Sequence, residues 1–309
     1  MNRNTFLQTA TLGTVGLTSL PLLKRYDAGP FEKLEISLTP WSLMRTGYGG
    51  DDPLGIDIFE YPRIAKSLGF DYIDHEMFHF PSDLNDEMID QMLINSEKAG
   101  VQSAVLLTGG VGDIGDADLS KRKKALKTYK FWVDVAQKLG CKAVRNVCAS
   151  YITIPHKEKL NYALEGVKEL GNYAGEKGLD LLIENHNGYS SDPEWMIALM
   201  EGVNLNNVGV LGDFTNWTLR TNPETLYPDP YGGIELLSPY IRAVSAKSEY
   251  FDSSGEETVT DYKKMFGVLQ KATHLKFAGV EFFGTSISRN EGAQKTKALI
   301  ERVIKEIRL

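Results

Sequence analysis

The segment that most constrains the fold of this chain is a short apolar run that ends in polar side chains. Leu179-Asp180-Leu181-Leu182-Ile183 is followed at once by Glu184-Asn185-His186, and the run breaks at Gly188. A run of this length, bounded by turn residues, is typical of a strand buried on both faces of a parallel sheet. Polar groups at the C-terminal end of such a strand lie where barrels and doubly wound folds place their chemistry.

The same pattern recurs further along the chain. Asn207–Asp213 is a second apolar run that ends in an acid, Ile241–Lys247 ends in a lysine, and the run from Phe277 ends in Glu281. In a barrel, the ends of successive parallel strands lie around one rim. We therefore expect the charged groups of these four segments to converge in space.

Eight apolar runs alternate with amphipathic segments along the chain, and glycines stand between helix ends and the next strand. The spacing of about 34 residues for each unit is that of a single-domain (β/α)8 barrel. A doubly wound sheet would need a glycine-rich turn that opens a helix, and the turn 108–112 opens none. The predicted strands are Leu34–Leu38, Asp71–Glu76, Val101–Leu107, Lys142–Val147, Leu179–Glu184, Asn207–Asp213, Ile241–Lys247 and Phe277–Phe282.

The N-terminal segment differs from the rest of the chain. Residues 1–30 begin with Arg3-Asn4-Thr5-Phe6-Leu7 and continue with small and apolar residues, which resembles an export signal. The stretch is too short and too polar for a stable membrane anchor. We expect an exported, periplasmic protein whose barrel spans residues 31–309; the alternative is a disordered tail on a cytoplasmic protein. The cysteines Cys141 and Cys148 flank one predicted strand and are too far apart for a disulfide.

Charge and composition exclude one class of partner. The net charge of −7 over 309 residues does not suit a nucleic-acid surface, which needs clustered Lys and Arg. The oligomeric state has no signal in the sequence. A small molecule is therefore the expected partner.

Three of the converging groups are carboxylates, namely Glu184, Asp213 and Glu281. Three acids at one point repel each other unless a cation or shared protons offset their charge. Oxygen ligands suit Mg²⁺ or Mn²⁺, and an added imidazole also suits Zn²⁺ or Co²⁺. The alternative is that each acid caps a helix or pairs with a Lys or Arg.

Four motifs resemble those of the xylose-isomerase-like TIM-barrel superfamily, whose members are often labelled sugar phosphate isomerases/epimerases. They are Leu182–His186, Gly212–Trp217, Ala246–Asp252 and Gly279–Glu281. The resemblance implies a divalent metal held by Glu, Asp, His and Glu from the last four strands. By this resemblance, Glu184, Asp213 and Glu281 are ligands on the fifth, sixth and eighth strands.

The seventh strand departs from the family pattern. Members commonly have His-x-Lys there, and this chain has Ser245-Ala246-Lys247, so the lysine matches and the ligand histidine does not. Asn216 stands where a second histidine often follows the aspartate. His186 lies two residues beyond Glu184, points to the same side of an extended strand and is a candidate fourth ligand. We expect weak divalent-metal binding, because Lys247 repels a cation and takes over part of its electrostatic work.

Further polar and aromatic residues near the predicted strand ends are candidates for substrate contacts. Indole faces suit the C–H face of a sugar ring, and Glu76 matches a family position that often contacts substrate. The candidate substrate-binding residues are Trp41, His75, Glu76, Arg145, Asn146, His186, Asn216 and Trp217.

The predicted chemistry is removal of a proton from the carbon beside a carbonyl, as in sugar isomerisation or epimerisation. This reaction needs a base and a group that stabilises the enediolate oxygen. Glu184 and Glu281 are candidates to move the proton, and Lys247 is the candidate donor to the oxygen. A lyase or hydratase acting on a keto-sugar or keto-glycoside would use the same residues, and a catalytically silent sugar-binding barrel is a further alternative. Five histidines and the acidic charge disfavour an endonuclease-like phosphodiesterase.

Overall fold

The computed structural model describes residues 29, 31–44, 56–149, 154–219 and 225–308. Within these ranges, eight strands alternate with eight α-helices. The strands are β1 Glu35–Leu38, β2 Tyr72–Glu76, β3 Gln102–Leu107, β4 Ala143–Asn146, β5 Asp180–Glu184, β6 Val208–Asp213, β7 Ile241–Ser248 and β8 Phe277–Phe282. The helices are α1 Tyr61–Ser67, α2 Asp86–Ala99, α3 Leu119–Lys138, α4 His156–Glu176, α5 Pro193–Val203, α6 Pro230–Leu237, α7 Tyr262–Leu269 and α8 Arg289–Ile307.

The strands close into a parallel barrel in chain order. Each strand pairs with the next, and β8 returns to pair with β1 through the register Glu35 to Phe277. This closure confirms the predicted (β/α)8 barrel and excludes the open doubly wound sheet. All eight predicted strands are present, with ends within one residue of the predicted bounds.

Two apolar layers hold the barrel together. Side chains alternate between the two faces of each strand, so one set fills the barrel and the other packs under the helices. The outer layer includes Leu181 and Ile183, which are fully buried against the helices. The smaller inner cluster consists of Ala104, Val105, Leu107, Ala143, Leu182, Leu211, Ala243 and Phe277.

The helices bury the stripes that the sequence pattern predicts. Leu126 and Val133 lie on the covered face of α3, about two helical turns apart. Asp192 caps α5 through the amides of its first turn, and Pro193 follows at the first helical position. Gly100 ends α2 with φ +67°, a left-handed conformation in which a side chain would be strained.

The prediction of an export signal in residues 1–30 falls almost entirely outside the described residues, because only residue 29 of that segment is described. It stays a prediction, as does the domain boundary at residue 31. Among the described residues, no helix has the length and apolar character needed to cross a bilayer. Cys141 and Cys148 are both free and buried.

Candidate functional site

The strand register brings the predicted charged residues to one end of the barrel. Lys247 on β7 is the pairing partner of Glu281 on β8, and Asp213 on β6 is the partner of Ser245. Side chains two residues apart on a strand share a face, so Ser245 and Lys247 both point toward the barrel axis. Glu184 at the end of β5 pairs with Leu211, two residues before Asp213, so groups from four consecutive strands meet at the C-terminal rim.

The ammonium group of Lys247 lies beside two of the acids. The Nζ of Lys247 is 2.9 Å from Oδ2 of Asp213 and 3.9 Å from Oε1 of Glu281. The other oxygen of Glu281 accepts a hydrogen bond from the hydroxyl of Ser245. The side chain of Lys247 is 15% exposed, so its charge acts where water screens it little.

A second cation, the guanidinium of Arg145 on β4, binds the acids on the opposite side of the site. Its Nε is 2.8 Å from Oε2 of Glu184, and one Nη is 3.4 Å from Oε2 of Glu76. The indole N–H of Trp41 donates to the same Glu76 oxygen at 2.9 Å. Asn216 donates to Oε1 of Glu184 at 3.0 Å. Arg145 and Asn216 therefore contact Glu184 directly. Glu76 is linked to it through Arg145, and Trp41 is linked to Glu76.

Asp213 is fixed by the backbone around it. Its Oδ1 accepts the amide N–H of Thr215 at 2.8 Å and that of Asn216 at 2.9 Å. The side chain of Asn185 forms two hydrogen bonds with the backbone of Asp213. Its Oδ1 accepts a hydrogen bond from the Asp213 amide, and its Nδ2 donates one to the Asp213 carbonyl at 3.0 Å. These bonds leave Oδ2 directed at Lys247.

Burial shifts the ionisation of the acids at this site. It raises the pKa of Glu184, although the charge of Arg145 opposes the shift, and it raises the pKa of Glu281 against the charge of Lys247. Burial also raises the pKa of Glu76 to about 7. Carboxylates with raised pKa values are stronger bases and can also exist as acids near neutral pH.

Burial and neighbouring charges also shift the pKa values of the basic groups at this site. Burial alone would lower the pKa of Lys247, but the carboxylates of Asp213, Glu281 and Glu184 outweigh it, so the pKa is raised and the lysine stays charged. Burial, with the charges of Arg145 and Lys247, lowers the pKa of His186 to about 4. His186 is therefore a neutral imidazole, and its Nδ1 has no hydrogen-bond partner among the described residues.

A small cavity lies beneath the charged groups, inside the barrel. The centre of a water-sized sphere can move within about 20 Å³ of this cavity, which is enough space for one water molecule. Glu184 and Glu281 both line it, so the two carboxylates that the sequence predicts to move a proton border one space. The lining residues are Thr39, Asp74, Leu107, Arg145, Glu184, Leu211, Val244, Ser245, Gly279 and Glu281.

Three predicted substrate-binding residues lie away from this space. His75 and Asn146 each sit one position from an inward-pointing residue, Glu76 or Arg145, and therefore face outward. His75 is 1% exposed and contacts the Ser103 hydroxyl at 2.9 Å.

The third of these residues, Trp217, is 2% exposed, and its indole N–H donates to the Phe214 carbonyl at 3.1 Å. Its ring packs against that of Tyr227 in a tilted arrangement, with 5.6 Å between centroids. Burial and strand alternation thus place His75, Asn146 and Trp217 in packing positions outside the proposed site.

The site also contains a residue that the sequence reasoning missed. Asp74 on β2 points into the barrel below Glu76, where Ser37 donates to its Oδ2 at 2.9 Å and the Val105 amide to its Oδ1 at 3.2 Å. Burial raises its pKa to about 7. The signal was present, because Asp74 and Glu76 are two apart on a predicted strand and share a face.

The acids predicted to hold a divalent metal are paired with cations of the chain itself. Oxygen atoms of Glu184, Asp213 and Glu281 are engaged by the chain's own cations, and the ammonium of Lys247 lies between two of these acids. In the ranges that the structure describes, no three His, Cys, Asp or Glu side chains are arranged to hold a metal ion. The residues as folded do not fit a divalent metal.

Solved structures of sugar epimerases have the same fold. An L-ribulose 3-epimerase has a TM-score of 0.69 and 15% identity, with 89% of this chain and 96% of that chain covered. A 3-keto-D-glucoside 4-epimerase from E. coli gives 0.66 and 14%, covering 87% and 100%. A xylose isomerase-like barrel from Mycobacterium smegmatis in complex with magnesium gives 0.66 and 18%, covering 89% and 98%.

These identities are low, so the structural similarity shows the fold. No curated protein matches the chain significantly in sequence. The family model described as "Xylose isomerase-like TIM barrel" matches residues 62–305, which is most of the barrel. The chain therefore belongs to the xylose isomerase-like TIM barrel family.

Proposed function

We propose that this protein is a sugar epimerase or isomerase that removes a proton from the carbon beside a carbonyl group. One observation carries the proposal: two buried carboxylates with raised pKa values, Glu184 and Glu281, border one cavity beside the ammonium of Lys247. The similarity to sugar epimerases supports a carbohydrate as the substrate.

The first step in this proposal is binding of the sugar above the cavity. His186, as a neutral imidazole, accepts a hydroxyl hydrogen bond, and Asn216 and Arg145 orient the carboxylate of Glu184. The indole of Trp41 offers an apolar face and is oriented by its bond to Glu76. These contacts hold the carbonyl oxygen of the sugar toward Lys247.

The second step is proton transfer. One carboxylate, Glu184 or Glu281, takes the proton from the carbon, and the electron pair moves onto the carbonyl oxygen to form an enediolate. Lys247 stabilises the new negative charge, because its ammonium is held in a poorly screened position. The other residue starts the step as a protonated carboxyl group and gives its proton to carbon. For epimerisation this proton reaches the same carbon from the opposite face, and the carbonyl re-forms. For isomerisation it reaches the neighbouring carbon, while the hydroxyl proton of the intermediate passes to the enediolate oxygen and the new carbonyl forms.

Deuterium exchange tests this function. The purified protein is incubated in D₂O with a panel of ketoses and 3-keto-glycosides, and products are analysed by NMR and mass spectrometry. We expect one deuterium at the carbon beside the carbonyl, and we expect Glu281→Gln and Glu184→Gln to lower the exchange rate at least about 100-fold, in the range of general-base catalysis. Glu169→Gln is the control, since Glu169 pairs with Lys130 on the outer helices. Binding of a sugar without any exchange would show a silent sugar-binding barrel.

A lyase is the second candidate, and the position of Lys247 favours it. An ammonium beside carboxylates can donate a proton to a leaving hydroxyl, so the same enediolate would lose water instead of being reprotonated. The same incubations, repeated in H₂O, separate the two reactions. Epimerisation or isomerisation in H₂O leaves the mass unchanged, whereas elimination lowers the mass by one water and creates an absorbing enone.

A further inference from the structure

We propose that the ammonium of Lys247 occupies the position of a divalent cation, so that the wild-type site works without one and becomes a divalent-cation site when Lys247 is removed. The catalytic meaning of this inference rests on the proposed function, but metal binding is measured without substrate. Its failure is therefore distinguishable from a failure of that function.

The first argument is the position of the ammonium. Its nitrogen is 2.9 Å from Asp213 and 3.9 Å from Glu281, and these are two of the three acids predicted to be metal ligands. It also lies 5.5 Å from the centroid of the Phe283 ring, which adds a favourable cation–π contact. A divalent ion bound to both acids would therefore have to occupy the position of the Lys247 ammonium.

The second argument is the use of the remaining oxygens. Oδ1 of Asp213 accepts two backbone amides. Oε2 of Glu281 accepts the Ser245 hydroxyl, and Glu184 is held by Arg145 and Asn216. The oxygens that face Lys247, Oδ2 of Asp213 and Oε1 of Glu281, are therefore the ones that a bound cation would use.

The third argument is charge. Among the described residues, four acids lie within 4 Å of the two cations of this site, and Asp74 lies deeper in the barrel. The four acids are Glu76, Glu184, Asp213 and Glu281, and the cations are Arg145 and Lys247. Replacing Lys247 by an uncharged side chain leaves one cation for four acids. Buried like charges repel strongly, and uptake of a divalent ion by carboxylate oxygens relieves that repulsion.

The experiment measures Mn²⁺ binding by the full chain after treatment with EDTA. Calorimetry and the electron paramagnetic resonance signal of free Mn²⁺ report binding for the wild type, Lys247→Met and Lys247→Arg. We expect Lys247→Met to bind Mn²⁺ at least about 100-fold more tightly than the wild type, because the positive charge of Lys247 no longer repels the ion. Lys247→Arg keeps the charge and should bind as weakly as the wild type.

Two controls locate the effect. Asp213→Asn added to Lys247→Met should abolish the gained binding, because it removes a ligand. Lys276→Met removes a lysine that pairs with Asp180 outside the site, at 3.0 Å, and should leave Mn²⁺ binding at the wild-type level.

The outcomes are decisive even if Lys247→Met folds poorly. Micromolar binding of Mn²⁺ by the wild type would overturn the proposal, and that titration needs no variant. A folded Lys247→Met, as judged by circular dichroism, that binds no more tightly than the wild type would also overturn it. A melting temperature of Lys247→Met that rises with Mn²⁺ while that of the wild type does not would support it.

Discussion

Replacing Asp74 with asparagine should stabilise the protein at alkaline pH. Asp74 is 2% exposed inside the barrel and accepts hydrogen bonds from Ser37 and from the Val105 amide. An asparagine has the same shape, can accept the amide bond through its oxygen and can donate to the Ser37 hydroxyl. The change therefore removes a buried charge and keeps the hydrogen-bonded geometry.

The magnitude follows from the pKa of Asp74, which burial raises from 3.8 to about 7. The native state holds the proton of Asp74 more tightly than the unfolded state does. The contribution of Asp74 to the free energy of unfolding is therefore most favourable below pH 3.8 and falls as the pH rises toward 7. Above pH 7 the full cost is present and amounts to about 4 kcal/mol, at 1.36 kcal/mol for each pKa unit. Asp74→Asn should recover much of this free energy at pH 8 and very little near pH 4.

Urea unfolding of the wild type and Asp74→Asn at pH 4.5, 6 and 8 measures the difference. We expect the free energies of unfolding to diverge steadily with pH in favour of the variant. Asp180→Asn is the matched control, because Asp180 pairs with Arg242 and Lys276 and its loss should destabilise the protein. Equal stability of wild type and Asp74→Asn at pH 8, or a less stable variant there, would refute the argument that Asp74 is a buried carboxyl with a raised pKa.

Two further predictions concern stability. Asn185→Ala should lower the free energy of unfolding by about 2–3 kcal/mol in urea titrations, because both bonds that it makes to the Asp213 backbone are buried; unchanged stability would contradict that role. Gly166→Ala should lower the free energy of unfolding by at least about 3 kcal/mol in the same assay, since the added Cβ would meet the carbonyl of Ile114. Gly267→Ala, where the added Cβ would have no neighbour within 4 Å, should leave the free energy of unfolding unchanged or raise it slightly. Equal effects of the two alanines would contradict the steric argument.

The barrel itself was predictable from the sequence, for a physical reason. A strand buried on both faces must be short and apolar, and the helix that follows must bury one stripe of apolar side chains. The two patterns therefore alternate along the amino-acid sequence. Helix ends carry equally local signals, such as the cap at Asp192 and the left-handed Gly100. For this reason all eight strands were predicted to within one residue.

The convergence of Glu184, Asp213, Lys247 and Glu281 was also predictable, because each ends a strand and parallel strand ends meet at one rim. The face of the strand to which each neighbouring side chain points was predicted less well. His75 was grouped with Glu76, and Asn146 with Arg145, although alternation along a strand sends adjacent residues to opposite faces. Asp74, on the same face as Glu76, was overlooked for the same reason.

What the sequence by itself determined is the set of charged residues at the barrel mouth and the absence of a histidine at Ser245. The pairing of those charges was decided only by the tertiary structure. Whether a carboxylate faces a metal, a lysine or an arginine depends on distances of a few ångströms between different strands, set by register and barrel closure. The ion pairs of Lys247 with Asp213 and of Arg145 with Glu184 join residues 34 and 39 positions apart, so no local pattern records them.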